Sequence, residues 1–246
     1  MAIADILLSV VPTLDDEPER LAVAVDLACR LHARLNGVYR LDGDGRPEWA
    51  RALFERALAR SPVDASWRAI DGRSGGGFLQ LARRSDVCIL PSASAGGAPS
   101  VRFREVVFES GRPVLFLPSP RDATSIASRV MVAWSDTPAS ARAMHEALPV
   151  LAEAQEVRVL TVQTRDEPAP LADTRLLDHL RQHGVAAHLD HRSGEDIAEE
   201  IAAEVRRWGA DMLVIGVRRE SDRAGALSEI SQRFLGVGSL PVFCSS

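Results

Sequence analysis

The stretch "GADMLVIG", Gly209 to Gly216, decides the fold, because it has a twin: "RSDVCILP", Arg84 to Pro91, carries the same polar lead-in, the same aspartate and the same apolar run. Working outward, "ADILLSVV" (Ala4 to Val11) returns as "SRVMVAWS" (Ser128 to Ser135), and "GRPVLFLP" (Gly111 to Pro118) returns as "SLPVFCSS" (Ser239 to Ser246). Three matches in one order, offset by about 125 residues, predict two copies of one domain. The expected domains are residues 1–120 and 128–246. The polar, proline-containing "SPRDATSIAS", Ser119 to Ser128, is the expected join.

Within each copy, strand and helix patterns alternate. In the second, "RVMVAW" reads as a strand and "PASARAMHEALPVLAEA" as an amphipathic helix, followed by the strand "EVRVLTV" and the helix "LADTRLLDHLRQHG", which Gly184 stops. The strand "VAAHLDH", a helix ended by Gly209, the strand "DMLVIG", the helix "SEISQRFL" and the strand "LPVFC" complete the copy. Continuous apolar runs such as "ILLSVV" and "MLVIG" suit strands covered on both faces, as in a parallel sheet with helices on each side. The fold class is α/β: two tandem doubly wound parallel-sheet domains. Ligands in such sheets bind beyond the carboxyl ends of the strands, where the strand order reverses. Residues Trp134 to Thr137, and Gly216 onward, therefore belong to the candidate functional edge.

Composition narrows the classes. The chain has 246 residues, 46% hydrophobic and 26% charged, with a net charge of -5, in keeping with a globular chain long enough to bury a core. Asp plus Glu (34) outnumber Lys plus Arg (29), which argues against nucleic acid as a partner. The N-terminal residues lack a basic targeting region and no apolar run suggests a membrane span, so the expected location is the cytoplasm. Cys29, Cys88 and Cys244 have no C-x-x-C spacing and mostly apolar neighbours, and are expected to be inert.

The strand, the "AW" turn and helix, then "GADMLVIG", a loop, a short helix and a closing "PVF" strand resemble the universal stress protein family, in particular its tandem members. The match is best over Ser128 to Ser246. The resemblance implies a Rossmann-like fold of the adenine nucleotide alpha hydrolase type, two copies packed as an intramolecular pseudo-dimer or a homodimer, and the closing strands "GRPVLFLP" and "LPVFC" at the contact between copies. It also implies an ATP site built from glycines after the fourth strand and a Gly-Ser or Gly-Thr pair at the next helix, where backbone N–H groups and the helix N-terminus meet the phosphates. In this chain the corresponding positions are Trp134, Ser135 and Asp136 at the adenosine end, then Gly216, Arg218, Arg219, Ser228 and Glu229. Ser135 stands where the family carries aspartate, Arg219 where it carries a second glycine, and Glu229 where it carries a hydroxyl. The loop is about one residue short.

Glu229 would place a carboxylate at the positive end of a helix, which suits the helix and repels a phosphate. At 4 Å and a surface-like dielectric, that repulsion is about 4 kcal/mol. Arg218, Arg219 and Arg223 could dock another anion through their forked guanidiniums, but Glu220 and Asp222 neutralise them locally. In the first copy, Pro91 replaces the first glycine, Pro12 and Thr13 replace the acidic turn, and Gly96 and Gly97 lie in a flexible-looking loop. No nucleophile elbow, complete P-loop or Cys–base pair is present. The expectation is a non-catalytic stress-response regulatory or binding protein with a degenerate nucleotide site and no cofactor. The alternatives are ATP binding with slow hydrolysis in the second domain, or a ligand-free structural interaction protein. Two smaller readings complete the picture. Asp15, Asp16 and Glu17 are read as helix-dipole partners. His179, His183, His188 and His191, with Asp190, are weighed as a zinc site and set aside, because the leucines beside them define a buried face.

Overall fold

The structure, a computed structural model, describes residues 2–11, 17–41, 47–71, 77–92, 101–118, 125–163, 174–218, 233–235 and 240–246. It divides into two compact units, Ala2–Ile126 and Ala127–Leu235 with Leu240–Ser246. Of the expected join, 119–124 lie outside the described residues. Ser125 and Ile126 are tied to the first unit, where Ser125 Oγ bonds Asp26 Oδ2 at 2.8 Å and Arg30 donates to the Ile126 carbonyl at 2.5 Å.

The first unit runs β1 (Asp5–Val10), α1 (Glu17–Arg30), β2 (Arg34–Leu41), α2 (Pro47–Leu58), β3 (Ala65–Asp71), α3 (Gly77–Ala82), β4 (Val87–Pro91), α4 (Val101–Glu109) and β5 (Val114–Leu117). Its strand order is β3-β2-β1-β4-β5, all parallel. The second unit runs β6 (Arg129–Trp134), α5 (Pro138–Ala152), β7 (Glu156–Gln163), α6 (Thr174–Gln182), β8 (Ala187–Ser193), α7 (Ile197–Trp208), β9 (Met212–Gly216) and β10 (Val242–Ser245). Its order is β8-β7-β6-β9-β10, again parallel throughout. Each unit is therefore doubly wound, as the apolar runs predict. In each, the order reverses between the first and fourth strands, β1 and β4 or β6 and β9.

The repeat extends to side-chain chemistry. Asp86, the aspartate of "RSDVCILP", accepts the N–H groups of Ala4 and Asp5 at 2.8 and 3.0 Å. Asp211, its twin in "GADMLVIG", accepts those of Ser128 and Arg129 at 2.9 and 3.0 Å. One carboxylate thus anchors the start of the first strand in each copy, which explains why an aspartate precedes the fourth strand twice. The copies differ just beside it. Burial first, and then the Asp86 charge, push the Asp5 carboxyl above its ordinary range, whereas the second copy has Arg129 there. The guanidiniums of Arg129 and Arg158 lie 4.9 and 4.7 Å from the Trp208 ring centre, cation–π contacts that hold the end of α7 against the sheet.

Helix ends follow the sequence signals. Asp196 caps α7 by accepting the Glu199 N–H at 2.9 Å, and Gly209 ends it at φ 70°, a left-handed conformation that glycine adopts without a Cβ penalty. Strand interiors such as Val130, Met131, Val132, Met212, Leu213, Val214 and Ile215 are buried. Of "SEISQRFL", only 233–235 are described, and they are helical. Among the described residues, no helix is long and apolar enough to cross a membrane. Cys88 and Cys244 are buried and Cys29 is half-buried. Burial pushes the Cys88 thiol up to about 12, far from a reactive thiolate.

Candidate functional site

In the second unit the reversal point lies between β6 and β9, and their carboxyl ends bring five of the sequence-predicted residues to one edge. Trp134 ends β6 and is half-buried, Ser135 and Asp136 follow it and are exposed, Gly216 ends β9, and Arg218 is exposed beyond it. Arg219, Ser228 and Glu229 lie outside the described residues, as do Glu220, Asp222 and Arg223.

The turn between β6 and α5 is built on hydroxyls. Thr137 is the N-cap of α5, with φ −134° and ψ 152°, and its side chain accepts the Ser140 N–H at 3.3 Å while Pro138 opens the helix. Ser140 is buried, and its Oγ accepts the Ser135 N–H at 3.3 Å. Ser135 Oγ lies 3.1 Å from Ser140 Oγ and 3.3 Å from Thr137 Oγ1. The three hydroxyls thus bond to one another and to backbone donors at this helix start. Sequence reasoning placed Ser135 and Thr137 on this edge but missed Ser140 and the capping role of Thr137, although Thr-Pro at a helix start is a legible capping signal.

Gly216 has a structural reason of its own. A Cβ placed on it would lie 2.4 Å from Ser140 N, 2.5 Å from the Ala139 carbonyl carbon and 2.8 Å from the Ala139 oxygen. The first turn of α5 rests on the backbone at the end of β9, at a distance only glycine permits. The next residue, Val217, is buried and donates its N–H to Ser245 O at 2.7 Å. Gly216 is thus needed for helix–sheet contact independently of any phosphate.

In the first unit the equivalent edge is closed differently: Glu17 stands in the first turn of α1, where a dipole partner is expected, and is also held in a buried ion pair. Glu17 and Arg20 are buried, at 0% and 1% exposure. They form a two-pronged ion pair, Arg20 Nε to Glu17 Oε2 at 2.8 Å and Nη2 to Oε1 at 2.7 Å. Glu17 Oε1 also accepts the Val11 N–H at 2.8 Å, and Arg20 Nη2 donates to Ser9 O at 2.5 Å. A buried carboxylate persists only with such partners. The i,i+3 spacing of an acid and an arginine was visible; that both would be fully enclosed was not. Val11 and Ser135 occupy matching places after the first strand, and both N–H groups go to a side chain from the following helix, Glu17 or Ser140. Pro91 ends β4 where Gly216 ends β9. Pro12, Thr13, Asp15, Asp16, Gly96 and Gly97 lie outside the described residues.

The four-histidine set does not assemble as one cluster. His188 and His191 are the second and fifth residues of β8 and so face opposite sides of the sheet. His191 Nδ1 bonds Thr161 Oγ1.

No protein-family model matches the chain, and no curated protein matches it. Solved structures do. A universal stress protein from Archaeoglobus fulgidus DSM 4304 is 16% identical, with a TM-score of 0.74 over 97% of this chain and 98% of that one. A functionally unknown protein from Pseudomonas aeruginosa PAO1 is 12% identical, with a TM-score of 0.70 over 99% of this chain and 92% of that one. Both alignments run through both units. The chain has the universal stress protein fold, carried in two copies.

Proposed function

We propose that this chain is a non-catalytic regulatory or binding protein of the universal stress type, acting in the cytoplasm, whose nucleotide site is degenerate in both copies. The observation that supports this reading is the internal use of the backbone donor at the edge: Glu17 takes the Val11 N–H in the first copy, and Ser140 takes the Ser135 N–H in the second. A nucleotide whose adenosine end lay here would need such donors unengaged. The replacement of a family glycine by Arg219 and of a hydroxyl by Glu229 points the same way. A nucleotide or other small anion remains the class of ligand to test first.

Calorimetric titration of ATP into nucleotide-free protein tests the reading. Wild type is expected to show no low-micromolar binding, and Glu229→Ser is expected to gain affinity by relieving a repulsion of about 4 kcal/mol, half of the ~8 kcal/mol that a micromolar Kd represents. Low-micromolar binding in wild type that Glu229→Ser leaves unchanged would sink the proposal. Turnover of that ATP would favour the slowly hydrolysing alternative instead.

The pairing of the two copies as a pseudo-dimer belongs to the same proposal. Within its own unit each closing strand ends the strand order, and an uncovered strand edge recruits other chains. If each copy covers the other's edge, sedimentation equilibrium of the full chain gives a monomer at micromolar concentration. A stable homodimer there would mean that a second chain supplies the cover.

A further inference from the structure

At the amino ends of β4 and β5, away from the carboxyl edge of the first unit, three arginines gather where α3 and α4 give way to strand. Arg83 and Arg84 follow α3 and are exposed. Arg112 is half-buried and is carried by the turn after α4, where Gly111 takes φ 68° and the Arg112 N–H donates to Ser110 Oγ at 3.0 Å. Arg83 Nε donates to the Glu109 carbonyl at 3.2 Å, and Arg112 Nη2 donates to the Arg83 carbonyl at 3.4 Å. These bonds draw Arg83 and Arg112 together, with Arg84 next to them in the chain.

A guanidinium carries one charge and five N–H donors. Elsewhere in this unit Arg30, Arg34 and Arg51 each face a carboxylate, of Asp26, Asp64 and Glu55 respectively. Among the described residues, Arg83, Arg84 and Arg112 form no ion pair, and the Arg84 side chain forms no hydrogen bond. Glu109 contributes its carbonyl and not its carboxylate, and Asp86 is committed to the Ala4 and Asp5 N–H groups. The helix-end carbonyls thus satisfy one donor on each of Arg83 and Arg112 and none of the three charges. Holding Arg112 half out of water without a counter-charge costs free energy that an acid supplied from outside would recover. The second copy has no such patch, because in the repeat Arg83, Arg84 and Arg112 correspond to Trp208, Gly209 and Leu240.

We propose that Arg83, Arg84 and Arg112 form a docking surface for an acidic segment of a partner protein, whose Asp or Glu carboxylates the free guanidinium forks take. A nucleic acid fits less well: the patch is three arginines wide in a chain of net charge -5, so a long phosphate backbone would run off it onto acidic surface. The surface stands at the amino ends of the strands, and so does not depend on the state of the nucleotide edge.

Fluorescence anisotropy of a labelled hexaglutamate peptide, titrated with the full chain, is the test. Saturable binding is expected at low ionic strength, weakening as salt is added, with a hexaglutamine peptide unbound. Arg84→Glu/Arg112→Glu is expected to weaken binding about 10-fold, since two attractions are replaced by two repulsions. Arg56→Glu/Arg60→Glu makes the same change of charge at two exposed arginines outside the patch, and is expected to stay within about twofold of wild type. Circular dichroism checks the fold of each variant. Should the double variant unfold, Arg84→Glu alone serves, with an expected loss of about threefold. Absence of saturable binding by wild type, unchanged affinity in the Arg84 variants, an equal loss in the Arg56/Arg60 variant, or tighter binding of a single-stranded oligonucleotide of equal charge overturns the proposal.

Discussion

Glu17→Ala is expected to destabilise the first unit by about 3–5 kcal/mol, the range for removing one member of a buried ion pair. The pair is enclosed, Arg20 at 1% exposure and Glu17 at 0%, so the guanidinium left behind cannot turn to water. Its remaining bond would be to Ser9 O, because Arg20 Nη1 already has no partner. The Val11 N–H would lose its acceptor as well. A domain is stable by only about 5–15 kcal/mol, so this loss is a large share. Urea unfolding of the two forms measures it, read on the transition of the first unit. The double variant Glu17→Leu/Arg20→Met separates charge from packing: with neither charge left, its stability is expected to return most of the way to wild type. A Glu17→Ala protein within about 1 kcal/mol of wild type would mean that the pair is hydrated in solution.

Gly216→Ala is the second large expected effect, about 3 kcal/mol of stability, at the upper end of overpacking. The added carbon meets backbone: Ser140 N at 2.4 Å and the Ala139 carbonyl carbon at 2.5 Å. No side-chain rotation relieves such a contact, and only displacement of α5 from β9 does. Gly216 does not have the positive φ that would penalise alanine locally, so all of the effect arises from that contact. The experiment therefore separates two meanings of one glycine. If Gly216 served only to admit a phosphate, alanine there would leave the thermal midpoint unchanged and remove only ligand binding. A fall in the midpoint with ligand absent is the expected result, and an unchanged midpoint would refute the packing account.

The sequence by itself determined the architecture. Apolar runs such as "MLVIG" are buried strands because a continuous hydrophobic segment of that length needs cover on both faces, and the doubled order of those runs implied two copies. The end of α7 at Gly209 was legible too, since a left-handed glycine acts within one turn of the chain. The candidate edge was found for the same reason: turn residues and strand ends are local properties, and the doubly wound order places them together. What only the tertiary structure decided were the close approaches between segments. Glu17 reads as a surface acid until its enclosure is seen, and Gly216 reads as part of a phosphate cradle until the first turn of α5 is found resting on it. The His145 ring stands edge-on to His183 only because α5 and α6 come together on one surface. Local pattern sets which face of a segment turns inward. How closely two segments approach depends on the fit of all the side chains between them, a sum over the whole core that no short stretch of sequence contains.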